Sequence, residues 1–272
     1  MAISVRLATT GEVLYTTAYN SSDELRVWEL RLHLCQALKS TAFFSWILFH
    51  DQVLADDAAF VSAYPEEPRG KIILFHAVLR ELRPPTEEEE MAIGDCIQLR
   101  HRSQLWNIMS NGISMTSTLP RGTARESTLV RAIKADYPPL FDDGPLPDSV
   151  TTLLLAKCDP NVMGSPPLLP LGTAIRRGED RTVELLLQYH ADPQLRELPL
   201  IIAVARGATK IAKILLDYRA DPYSTMTGYA AASHGRKSNT GRRITAMELA
   251  ASSSGIAALL QQAMDRIQSS LQ

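Results

Sequence analysis

The segment Leu185-Leu186-Leu187-Gln188-Tyr189-His190-Ala191-Asp192-Pro193 returns, barely altered, as Ile214-Leu215-Leu216-Asp217-Tyr218-Arg219-Ala220-Asp221-Pro222. The residues upstream repeat with it. Pro170-Leu171, Ala174 and Gly178 recur as Pro199-Leu200, Ala203 and Gly207, each 29 residues later. A fixed period of this size belongs to stacked-repeat proteins, in which each unit is too small to bury its own apolar face and buries it against its neighbour. Such a stack offers a long surface to other macromolecules, so recognition is the leading expectation and catalysis is not.

Weaker copies flank the pair. One opens at Thr128-Leu129-Val130-Arg131-Ala132 and closes at Leu153-Leu154-Leu155-Ala156-Lys157-Cys158-Asp159-Pro160-Asn161. Another carries Thr245-Ala246-Met247-Glu248-Leu249-Ala250 and Ile256-Ala257-Ala258-Leu259-Leu260. A helix pair from Met91 to Met109, ending at Asn111-Gly112, reads as a degenerate first unit. The pattern resembles ankyrin repeats, whose unit opens with Thr-Pro-Leu-x-x-Ala, turns at a Gly, continues with Val/Ile-x-x-Leu-Leu and closes with Gly-Ala-Asp-Pro. The resemblance implies about five helical repeats over residues 86–265. In that frame Gly178 and Gly207 supply a positive φ between paired helices. Pro170 and Pro199 suit a first helical turn. Each Asp-Pro starts a tight turn.

The departures from the rhythm carry the functional signal. Ten residues separate Asp159 from Pro170, six separate Asp192 from Pro199, and twenty-four separate Asp221 from Ala246. The finger after Asp192 is therefore trimmed and the one after Asp221 extended. A further insertion lies near 135–148. Long loops on a rigid scaffold tend to carry function or to be disordered. The extended finger holds Arg236, Lys237, Arg242 and Arg243, a basic cluster that reads either as a solvated loop or as a contact for an anionic partner or a nuclear-import patch. Gly235 to Arg243 fails as a phosphate loop: its glycines are one residue too far apart, Arg242 stands where Lys is required, and no strand is expected before it. His190 and Arg219 sit at equivalent points of matching units and vary where the framework does not. With Tyr223, they are expected to face a partner.

The first eighty residues follow different rules. Ile3, Val5 and Leu7 alternate with Ser4 and Arg6, Thr10-Gly11 supplies a turn, and Val13 to Tyr19 reads as a returning strand. Ser21-x-x-Glu24 has capping-box spacing ahead of a helix from about Asp23 to Lys39, with Leu25, Trp28, Leu32 and Cys35 on one face and Val27, Leu30, Leu34 and Leu38 beside it. Strands follow at Phe43–Phe49 and Lys71–Leu79, with a short return at 51–54. This order resembles the ubiquitin-like β-grasp family over about residues 3–80, helped by the segment Ile47 to Asp56. The chain runs on into Arg80-Glu81-Leu82-Arg83-Pro84-Pro85 where conjugating members end in Gly-Gly. The resemblance therefore implies a fixed module rather than a transferable tag, with Leu48 as its candidate docking residue.

The expected fold class is α+β multidomain: a β-grasp domain at 1–82, a linker and helix cap at 83–90, an ankyrin solenoid at 91–265 and a tail at 266–272. Thr86-x-x-Glu89 is again a capping box, and the acidic run 87–90 complements the helix dipole. With 28 Lys and Arg against 30 Asp and Glu, a nucleic-acid footprint is not expected. Three scattered cysteines suit a reducing compartment, and no stretch is long enough to span a bilayer. Trp28, Trp46 and Trp106 read as core. No histidine or cysteine spacing suggests a metal, cofactor or nucleophile, so no catalytic residue is expected. The chain reads as a monomeric, cytoplasmic protein-binding adaptor, with nuclear entry open. A ubiquitin-system adaptor, whose N-terminal module docks a ligase or the proteasome while the repeats hold a substrate, is the alternative.

Overall fold

A computed structural model describes residues 2–7, 10–18, 25–30, 33, 46–49, 52–53, 72–78, 83–115, 126–136, 147–164, 168–194, 198–227, 243–251 and 253–270. The chain packs as two compact units. One comprises Met1–Ser117 with Asp136–Cys158, the other Thr118–Ala135 with Asp159–Gln272.

In the first unit, β1 (Ala2–Leu7), β2 (Val13–Ala18), β3 (Trp46–Phe49), β4 (Gln52–Val53) and β5 (Ile72–Val78) form one sheet in the order β2-β1-β5-β3-β4. The central pair β1/β5 is parallel, and the other three pairings are antiparallel. Gly11, at φ 71°, supports the turn between β1 and β2. In β1, Ile3 and Val5 are fully buried as the alternation requires and Arg6 is exposed, but Ser4 between them is buried as well.

Residues 27–30 and 33 belong to a helix, α1. It begins at Val27, later than the expected Asp23. Its cap is made by Glu29, whose carboxylate accepts from the Arg26 N–H at 2.7 Å. The expected Ser21–Glu24 box lies outside the described residues. Val27 and Leu30 are the buried row, whereas Trp28 is half-buried, which corrects its reading as core. Trp106 is buried, 2% exposed, and the side chain of Trp46 lies outside the described residues.

The same unit holds α2 (Glu87–Leu99), α3 (Arg102–Ser110) and, further along the chain, α5 (Ser149–Leu155). Thr86 forms the complete capping box with Glu89. Four residues assigned from sequence to a linker and cap thus form the first turn of α2. Arg83 clamps that turn. Its guanidinium donates two bonds to the Glu89 carboxylate, at 2.6 and 2.8 Å, and its backbone pairs with Gly112 and Ser114. The Arg83 hydrogen bond holds the Glu89 carboxyl at about 2, well below its ordinary 4.5, against an opposing effect of burial and with help from the Thr86 N–H. Cys96 and Cys158 are buried thiols, and burial, then the Asp95 carboxylate, pushes the Cys96 thiol up.

The second unit holds α4 (Thr128–Asp136) up to Ala135, followed by two closely matched helix pairs. These are α6 (Pro170–Arg177) with α7 (Asp180–Gln188), and α8 (Pro199–Ala205) with α9 (Thr209–Asp217). A short ladder of β6 (Thr225–Thr227) and β7 (Arg243–Thr245) leads into α10 (Ala246–Ala250) and α11 (Ser254–Ser270). First helices pack on first helices and second on second: α6 against α8, α8 against α10, α7 against α9, α9 against α11. The repeat landmarks explain why. Ala174 and Ala203 are fully buried, small enough for the neighbouring helix to come close. Val183, Leu186 and Leu215 are fully buried too, each contributing about 1.5–3 kcal/mol of apolar burial. Pro170 and Pro199 occupy first-turn positions. Gly178 and Gly207, at φ 77° and 70°, turn the chain between helices, and no atom lies within 4 Å of a Cβ added to either. Their backbone angle, not space, calls for glycine.

Candidate functional site

Three consecutive units end the same way. Asp159 Oδ1 accepts from the Asn161 N–H at 2.8 Å, Asp192 Oδ1 from Gln194 at 2.8 Å, and Asp221 Oδ1 from Tyr223 at 2.9 Å. These are Asx turns, which is why Asp opens every finger. After the first two of these, the residue two places on reaches towards the next unit. Asn161 Nδ2 donates to the carbonyl of His190 at 3.0 Å, while its Oδ1 accepts from the Asp192 N–H at 2.8 Å. Gln194 Nε2 donates to the carbonyl of Arg219 at 3.2 Å. Tyr223 occupies the third such position and is 46% exposed. This bridging role went unseen in the sequence reading, although the constant offset from Asp was there to find it.

His190 and Arg219 follow α7 and α9 in the left-handed region, at φ 67° and 64°. There the Ala191 N–H reaches back to Leu186 and the Ala220 N–H to Leu215, both at 2.9 Å. This is the closing geometry that glycine favours. The ankyrin pattern places Gly at this point, and an L-residue costs about 1–2 kcal/mol in it. Lys157 and Arg100 end α5 and α2 in the same conformation, at φ 64° and 60°. A base at a helix C-terminus recovers about 0.3–1 kcal/mol from the helix dipole, less than the backbone cost. Both His190 and Arg219 are exposed, with their carbonyls tied to the preceding finger.

The extended finger after Asp221 has a stem. Thr225 pairs with Thr245, Met226 with Ile244 and Thr227 with Arg243, and the Ala246 N–H donates to Ser224 O at 3.1 Å. The expectation that no strand precedes 235–243 is thereby corrected. Because β6 pairs with the strand that follows, the arrangement is a hairpin and not a strand–loop–helix. The stem sets Arg243 opposite Thr227 at its outer end, while Tyr223 and, upstream of it, Arg219 lie at the finger's base. Met226 is buried at its centre, and Arg243 is exposed. Arg236, Lys237 and Arg242 lie outside the described residues. Leu48 pairs in the first unit's sheet with His76 and Val53, and its side chain lies outside the described residues.

The trimmed finger has its own signature. Leu169, before Pro170, is extended at φ −94° and ψ 144°, whereas Leu198, before Pro199, is forced to φ 48°. Leu198 thus departs from the extended conformation that a pre-proline residue prefers, at the end of the finger that is four residues shorter.

No group of three or more His, Cys, Asp and Glu side chains among the described residues could hold a metal ion. Among the described residues, no helix is long and apolar enough to cross a membrane. Residues 142–226 match the family model described as ankyrin repeats (3 copies). That span runs across α5 to α9 and stops in β6. No curated protein matches the chain. The matched repeats point to protein–protein interaction.

Proposed function

We propose that the chain is a non-catalytic adaptor that holds a protein partner through its ankyrin repeats, with selectivity at the finger bases. One observation carries this reading. Within the matched span the buried and turn-forming positions repeat, while the exposed His190 and Arg219 occupy equivalent points and differ, and the exposed Tyr223 stands where the preceding unit has Gln194. Aromatic and Arg side chains on rigid supports are the usual anchors of protein interfaces. The proposal keeps a division into an N-terminal module at 1–82 and repeats at 91–265. It includes a cytoplasmic setting, with nuclear entry open, and requires no cofactor or metal.

The test is affinity capture by full-length protein against Arg219→Ala/Tyr223→Ala/Arg243→Ala, read by quantitative mass spectrometry. These exposed positions should leave the melting temperature nearly unchanged. Captured partners should fall about tenfold or more if the finger carries anchors. An unchanged capture profile would sink the proposal.

A second reading assigns the N-terminal module to the ubiquitin system. The strand order β2-β1-β5-β3-β4 with a parallel central pair supports a β-grasp module there. Titration of labelled protein with ubiquitin-receptor domains should shift resonances around Leu48; none moving would count against it.

A further inference from the structure

An open sheet has two edges, and this one treats them differently. β4 is two residues long, a blunted edge, whereas β2 runs for six. Natural edges of that length usually carry a Lys, a Pro or an inward charge to refuse a neighbour. Val13-Leu14-Tyr15-Thr16-Thr17-Ala18 has none of these, and five of the six are β-branched, aromatic or aliphatic beyond alanine. Its one protective device is a register shift opposite Val5/Arg6, which leaves Tyr15 to Ala18 regular. Among the described residues no strand lies outside β2. Apart from a local contact of Thr17 Oγ1 with Ala18 O at 3.3 Å, no hydrogen bond from another described residue reaches its outer side.

We propose that β2 is a self-pairing edge, through which two copies of this chain join antiparallel into one continuous sheet. The side chains select the register. Tyr15 and Thr17 lie on the α1 face, opposite the buried Val5 and Ile3, and the Tyr15 ring sits 6.4 Å from that of His33 on α1. Thr16 lies on the other face, its hydroxyl 3.4 Å from that of Ser4. A two-fold axis perpendicular to the sheet preserves faces, so opposed residues must share one. An axis through Thr16 satisfies this: Tyr15 meets Thr17 of the second copy, Thr17 meets its Tyr15, and Thr16 meets Thr16. Aromatic–β-branched and Thr–Thr pairs are favourable cross-strand partners, and no like charges face each other. The contact is isologous and closes at two copies. An external peptide would satisfy the same main-chain groups, but nothing on this edge selects its side chains, whereas β2 itself matches position by position.

Sedimentation equilibrium of the full chain tests it. The wild type should shift with concentration towards twice the 30.0 kDa of one chain. Thr16→Lys and Thr16→Glu each place like charges on the axis and should each stay monomeric, with melting curves that match the wild type's at dilutions where it too is monomeric, because Thr16 is exposed. Mixing the two variants should restore the dimer. A wild type that is monomeric throughout, variants that still dimerise, or a mixture that stays monomeric would each overturn the proposal.

Discussion

Single residues in this chain are most informative where they break a local rule. Arg219 and His190 hold a backbone conformation that glycine adopts without strain, and their side chains are exposed. Fold maintenance alone favours Gly at both points. Arg219→Gly and His190→Gly should each raise unfolding free energy by about 0.5–1 kcal/mol in chemical denaturation, the strain relief less the added entropy of the unfolded chain. Arg219→Gly should also weaken partner capture. A variant that is more stable but binds less would separate the two roles. Asn161 makes the opposite case. Its side chain makes two bonds to the finger that follows. Asn161→Ala should therefore lose about 1–2 kcal/mol in the same assay, although Asn161 is no partner-facing candidate. The Asp-Pro and Gly landmarks were legible in the sequence because each demands a particular backbone. The partners of Asn161 and Gln194 were not, because the constant offset from Asp marks these residues but not the groups they reach 25 to 31 residues away.

At the scale of elements, sequence and structure agree best where a helix end is specified by its own residues. Thr86 with Glu89 and the paired Pro and Gly positions mark α2, α6 and α8 correctly. They disagree where no local signal decides: the helix α1 starts at the Glu29 cap, and Leu198 is left-handed before Pro199. The stem β6/β7 escaped the sequence reading because three-residue strands carry too little alternation to register. The α2 cap yields a pH prediction. Glu89 titrates at about 2 in the folded protein, below its ordinary 4.5. A depressed carboxylate contributes stability that is fully present above the ordinary value and is lost as pH falls from there towards 2. Thermal melts should show that loss between about pH 4.5 and 2. Glu89→Gln should flatten this limb while leaving the shape of the curve above pH 5 unchanged; an identical acid limb in the variant would refute the assignment.

For the whole molecule, two units answer to different physics. The first joins a sheet with a long neutral edge to helices α2, α3 and α5; the second rests on repeated helices whose buried positions recur, while the exposed pairs His190/Arg219 and Gln194/Tyr223 do not. Recognition is accordingly assigned to the finger bases of the second unit, with the helices as rigid support. Hydrogen exchange on the full chain, alone and in complex with a captured partner, tests that assignment most directly. The account predicts slowed exchange at Ala220 to Thr227 and Arg243 to Thr245, with α7 and α9 unaltered. Protection confined to α7 and α9, or to the N-terminal sheet, would contradict it.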